Sequence, residues 1–315
     1  MRKPLQDKLV FGVTLVLACI AAYVLLSAVR RPARDSLGRS FEFRMDDFMQ
    51  VDPAMIVCEE TGFIPVPQTA PVDFAVDAGG RLYIVCENSV VILEADGSPA
   101  HTFAVKGPVS CVAVDEDRIY LGAGNIISVY NANGELLEEF AGPGGNFRAA
   151  GILPHDMFIY ATCAENINLY QLDRSGNLMR QIDDLVLFSI PRISMAMDPH
   201  GYLWVASPGE RQLRKYNEEF ELIDSWTRIG RTIDGFSGCC NPTDIAIRKD
   251  GTIVTTEKNI VRVKLMNQAG EVTGVVAAPD KFNQQINHLA VVVDNHDRIL
   301  VLDPHLRGIR IFEDK

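Results

Sequence analysis

The stretch DIAIRKDGTIVTTEK, residues 244–258, is an apolar strand, a Lys249-Asp250-Gly251 turn and a second apolar strand. Five further segments repeat it: DFAVDAGGRLYIVCE (73–87), CVAVDEDRIYLGAG (111–124), AGILPHDMFIYATCA (150–164), SMAMDPHGYLWVASP (194–208) and AVVVDNHDRILVLDP (290–304). Their side chains follow the period of a strand, and most of the turns hold Asp, Asn or Gly, which suit tight hairpins. Most copies lead into a third strand such as VVILEADGS, IISVYNANGE or INLYQLDRSGN. The second-strand residues Leu82, Ile119, Ile159, Leu203, Ile253 and Ile299 lie 37, 40, 44, 50 and 46 positions apart, the span of one four-stranded blade. The expected fold is all-β, a six-bladed β-propeller.

The last copy is followed by IRIFEDK (309–315), which is a third strand, so a fourth has to come from elsewhere. MIVCEETGFIPV (55–66) is the strand-like stretch left over, and the expectation is a ring latched by pairing it with the last blade. A linear β-solenoid is the alternative, and it needs no such pairing.

NPTDIAIRKDGTIVTTEKNIVRVKLMNQAGEV (241–272), and more loosely its relatives, resembles NHL repeats. Shared features are the Pro-containing lead-in, the first strand, the Asp-Gly hairpin and the basic third strand. The resemblance covers residues 55–315 and implies a propeller, whereas NHL-type propellers include scaffolds, protein-binding modules, lyases and other enzymes. Two copies depart from the pattern: Pro154 and Arg248 stand where the first strand should end in Asp.

Toward the N-terminus, Leu9 to Val29 is a run of 21 uncharged residues, long enough to cross about 30 Å of hydrocarbon. Arg2, Lys3 and Lys8 precede it, and Arg30, Arg31 and Arg34 come after it, as interfacial anchors. The domains expected are a transmembrane anchor (1–30), a juxtamembrane linker (31–53) and the propeller (54–315). A cleavable signal peptide, lipoprotein processing at Cys19 and a buried helix are competing readings. The similar flanking charge does not choose a side of the membrane. The extracytoplasmic (periplasmic) side is expected because N-terminal anchors usually export the domain C-terminal to them.

The chain has 315 residues and a net charge of −11. Residues beyond 40 carry 23 basic and 39 acidic side chains, a net −16, which repels phosphate backbones and argues against nucleic-acid binding. No nucleotide loop, nucleophile elbow, zincin motif or paired-carboxylate constellation is visible.

Candidate chemistry comes from projecting the repeats onto a ring. Asp73, Cys111, Ala150, Ser194, Asp244 and Ala290 begin the innermost strands, with His288 just before the last. Cys86, Ala123, Cys163, Ser207, Glu257 and Asp303 end the second strands, and both sets are expected around one channel mouth. The longest inter-blade connection is expected from Asp224 through Trp226 to Cys239, Cys240 and Asn241. Long loops on rigid scaffolds commonly carry function. For the Cys pair three readings stand open: reduced packing residues, a strained vicinal disulfide, or metal or cluster ligation with Cys111 or His288. Cys58, Cys86 and Cys163 read as buried small residues. Asp77, Asp115, Asp198 and Asp294 read as turn residues, and His155, His200 and His296 as solvated.

The favoured expectation is a binding scaffold, anchored through residues 9–29, that offers its channel-mouth face and the 224–240 loop to a protein or small ligand. The alternative is a propeller enzyme or a redox or metal protein using Cys239, Cys240, Asp244, Asp73, Cys111 and His288, with no cofactor specified.

Overall fold

The first five repeats each fold as a four-stranded antiparallel sheet, because their strands are rich in β-branched and aromatic residues and their turns in Gly, Asn and Asp. The computed structural model describes Gly12 and residues 15–23, 46–68, 70–165, 168–183 and 192–315. They fall into two units, Met1–Met45 and Asp46–Lys315. In the first unit the described residues are helical. The expected membrane span at 9–29 and linker at 31–53 lie partly outside the described residues, among which no helix is long and apolar enough to cross a membrane.

Six sheets make up the second unit. Blade 1 spans residues 71–104, blade 2 residues 111–141, blade 3 residues 149–182, blade 4 residues 195–227 and blade 5 residues 244–277. In each of these the strands pair in chain order from the inside outward. Blade 6 takes its three inner strands from residues 290–314 and its outermost strand from Cys58–Pro65. That outer strand runs antiparallel to Gly308–Asp314, from Cys58 opposite Asp314 to Pro65 opposite Gly308, with a one-residue bulge between Glu60 and Gly62. Arg310 holds the seam with a two-pronged ion pair to Glu60 at 2.6 and 3.1 Å. The ring is therefore closed, and the linear solenoid is excluded.

Apolar side chains form six clusters, one at each junction between neighbouring blades. At the outer edge of a junction, a large side chain from the outer strand lies against the outer hairpin of the next blade. Phe103 meets Gly134, Phe140 meets Gly176 and Trp226 meets Gly270, and a Cβ on any of these glycines would sit within 2.5 Å of the ring. The junction between blades 3 and 4 reverses the sizes. Ile182 occupies the outer-strand position, and Phe220 replaces the hairpin glycine while keeping the left-handed backbone, at φ 68°. Its ring packs on Tyr160 and Tyr216, in the cluster that Ile182 also joins. An aromatic ring is thereby kept at the junction, contributed by the opposite blade.

This exchange is testable by a double-mutant cycle in denaturant unfolding. Phe220→Gly should cost about 2–4 kcal/mol, because the lost ring outweighs the relieved strain. Ile182→Phe alone should cost about 1–3 kcal/mol by overpacking. Combined, the two should recover at least about 1 kcal/mol of the summed loss, and simple additivity would show that the positions do not share a space.

Candidate functional site

The innermost strands surround an axial cavity of about 330 Å³. Asp73, Cys111, Ala150, Ser194 and Asp244 line it, together with Arg192 from the connection between blades 3 and 4. Strand direction places these residues at the face that carries the blade-to-blade connections, called here the upper face.

The Arg192 guanidinium pairs with Asp73 at 2.8 Å, and it also donates to the carbonyls of Ser110 at 2.6 Å and Val72 at 3.2 Å. The second oxygen of Asp73 accepts from the Val112 amide at 2.9 Å. One oxygen of Asp244 accepts from the Ser194 hydroxyl and the Ile245 amide, and the other from the Val291 amide at 3.0 Å. Other junctions use hydroxyls in the same way. Ser110 donates to the Ala149 carbonyl at 2.7 Å, Thr162 to Ile193 at 3.0 Å and Thr256 to Leu289 at 2.9 Å. Small polar side chains near the axis thus stitch each blade to the next, where strands of different sheets leave backbone groups to be satisfied.

Electrostatics at this mouth follow from burial. Asp73 is pushed above the ordinary carboxylate value by burial, against the pull of Arg192. Asp244 is pushed up to about 6 by burial, with Arg192 opposing and Asp73 reinforcing the rise. Cys111 rises to about 12 because it is buried, and its sulfur packs over Gly122, where a Cβ would lie 2.6 Å away. His288 is held well below its usual value by burial and by Arg192, and its Nε2 has no hydrogen-bond partner.

The second-strand ends do not gather at the mouth as expected. Cys86, Cys163, Ser207, Glu257 and Asp303 are buried, and none lines the channel. A second strand lies about 4.8 Å farther from the axis, so its side chains enter the layers between blades instead.

The long connection is also corrected. Leu222–Thr227 is the outer strand of blade 4, so Asp224 and Trp226 belong to the sheet and the loop begins after them. Trp226 is buried at the outer edge, stacked on Phe236, with its indole donating to the Gln268 carbonyl at 3.0 Å. Residues 228–243 are pinned to blade 5 by charges that sequence reasoning missed. Glu257 pairs with Arg262 at 2.8 Å and Lys264 at 2.9 Å, all three essentially without solvent contact. Arg262 donates onward to the carbonyls of Thr232 and Gly235, and Lys264 to those of Ile233 and Gly235. Burial pulls Lys264 down to about 8, with Glu257 opposing. The signal was present in the sequence: Arg262 and Lys264 alternate along an otherwise apolar strand and share one face.

Asn241 is fully buried and staples the base of the loop, donating to the Ser237 and Lys258 carbonyls and accepting from the Lys258 amide. Cys239 is exposed, Cys240 is half-buried, and both are free thiols. Burial and a thiol hydrogen bond with Cys239 push Cys240 upward, with Lys258 opposing. Neither cysteine lines the channel. Among the described residues, no three His, Cys, Asp or Glu side chains are placed to hold a metal ion.

No protein-family model and no curated protein matches the sequence. Solved structures do resemble the fold. A streptogramin B lyase is 12% identical with a TM-score of 0.59, over 84% of this chain and all of the other. Virginiamycin B lyase from Staphylococcus aureus is 14% identical with a TM-score of 0.57, over 81% and 98% of the two chains. The WD40 propeller domain of Doa1 is 11% identical with a TM-score of 0.58, over 79% and 81%. At these identities the likeness is one of fold alone.

Two outcomes are expected of the site. Because folding raises Asp244 from 3.8 to about 6, the folded chain takes up a proton there that the unfolded chain does not. The contribution of this group therefore grows as pH falls through 6 and is lost as pH rises, a swing of up to about 3 kcal/mol. Wild-type stability relative to Asp244→Asn should increase from pH 7.5 to pH 5, and parallel melting curves would refute the shift. Glu257→Gln leaves two buried cations without their carboxylate and should cost about 3–5 kcal/mol. Amide exchange at Ser237, whose N–H faces Glu257 at 3.3 Å, should accelerate with it.

Proposed function

We propose that this chain is a membrane-tethered propeller of NHL type that binds a partner through its upper face, with the 228–243 loop as the contact. The observation that carries the reading is the locking of that loop. A buried carboxylate and two buried cations fasten its backbone from below, while Ile229, Arg231, Thr232 and Cys239 are exposed above. Such a loop is ordered before any partner arrives, so association incurs little ordering entropy.

The enzyme reading draws less support from the same geometry. Both channel-mouth carboxylates already accept backbone amides, and Asp73 is also paired with Arg192. The half-buried thiol of Cys240 is shifted away from the thiolate that a nucleophile needs. The fold itself is neutral between the classes, since the similar structures include lyases and a mitotic checkpoint complex. Tethering rests on the uncharged run at 9–29 and its flanking arginines and lysines.

Two measurements on the full chain in its own membranes test the reading. A photo-crosslinking residue at Ile229 should give a discrete adduct that one at Met157, exposed on a hairpin of the opposite face, does not. Equal adducts at both sites, or none at Ile229, would remove the loop as the contact. A membrane-impermeant maleimide applied from outside should label Cys239 in intact spheroplasts, with Cys239→Ser as the blank. Labelling only after lysis would place the propeller on the other side.

A further inference from the structure

We infer that the axial channel is a site for a small organic ammonium ion, its charged head at Asp244 and its short apolar tail against the channel wall. The inference rests on the reading of this propeller as a binding protein and adds a second, small-molecule site to it.

Charge balance selects the head group. Two buried carboxylates, Asp73 and Asp244, share the upper end of the channel with one guanidinium. Arg192 directs its hydrogen bonds to Asp73 and to the carbonyls of Val72 and Ser110, and it reaches Asp244 only through its longer-range field. The direct partners of Asp244 are neutral: the Ser194 hydroxyl and the amides of Ile245 and Val291. His288 is held neutral and Cys111 is held as a thiol, so neither supplies the missing positive charge. With both carboxylates ionised, the end of the channel carries an excess negative charge in a poorly solvated place. A cation relieves it, whereas an anion is repelled.

Wall chemistry selects the tail. Val76, Val114, Leu153, Met197, Ile247 and Val293, one from each blade, line the cavity and are half-buried. Apolar surface left open in six consecutive blades favours a hydrocarbon over water. A volume of about 330 Å³ lies at the small end of ligand pockets and suits a few carbons with one amine. Val76, Met197, Ile247 and Val293 also border a second cavity of about 620 Å³ among the hairpins of the lower face, which makes that face the side from which a ligand would enter.

Titration calorimetry of the full chain with n-butylammonium, n-butanol and butyrate at pH 7.5 tests the site. Saturable binding of one butylammonium per chain is expected, with butanol at least tenfold weaker and butyrate not bound. Asp244→Asn should weaken butylammonium at least tenfold. Met197→Phe, which fills the wall and keeps the charges, should abolish binding. Butanol binding as tightly as butylammonium, or unchanged affinity in Asp244→Asn and Met197→Phe, overturns the inference. The Ile229 crosslink is read on the same preparation. An adduct there without saturable amine binding overturns the channel site alone, and amine binding without an adduct overturns the loop contact alone.

Discussion

A blade of this protein is apolar on both faces, so no blade is stable until it has a neighbour on each side. That need is met around a circle only if the last blade is completed. The pairing of Cys58–Pro65 with Gly308–Asp314 does this, and it joins residues near the two ends of the propeller sequence. With the circle closed, each of the six junctions has its own apolar cluster, and the sheet edges face either the axis or the outside. The axis, the channel and the two faces exist as consequences of that closure.

Close packing then sets local rules. Neighbouring sheets approach so tightly at the outer edge that a ring on one blade demands a glycine on the next. Where Phe220 breaks that rule, the facing strand offers only Ile182, and the ring has moved across the junction instead of being lost. Near the axis the requirement is polar. Ser110, Thr162, Ser194, Thr256 and the two aspartates supply partners that strands of different sheets do not give one another.

Residues that look chemical in a linear reading therefore divide into two groups once folded. Asp73, Asp244, Cys111 and Arg192 share one end of a channel, where burial distorts their titration and leaves an unbalanced charge. Cys239 and Cys240 stand apart from the channel on a loop fastened by Glu257, Arg262 and Lys264. A charged group buried with partners serves position: the aspartates and Arg192 hold innermost strands around the channel, and Glu257 with its two cations holds the 228–243 loop.

The sequence by itself determined the number of blades, their order and the seam, because strand period and turn chemistry are local and repeat at a near-constant interval. It also brought Asp73, Cys111 and Asp244 to one channel, since they sit at equivalent places on innermost strands, although Ala290, which starts the last of these strands, does not line it. Tertiary structure decided the rest. Arg192 sits in a connection with no repeat pattern, so its partnership with Asp73, over a hundred residues earlier, is invisible to spacing. The second-strand ends and Trp226 turned inward between blades because distance from the axis, which no linear pattern encodes, governs what a side chain meets. Which charges are buried, and whether each has a partner, depends on packing between segments remote in sequence.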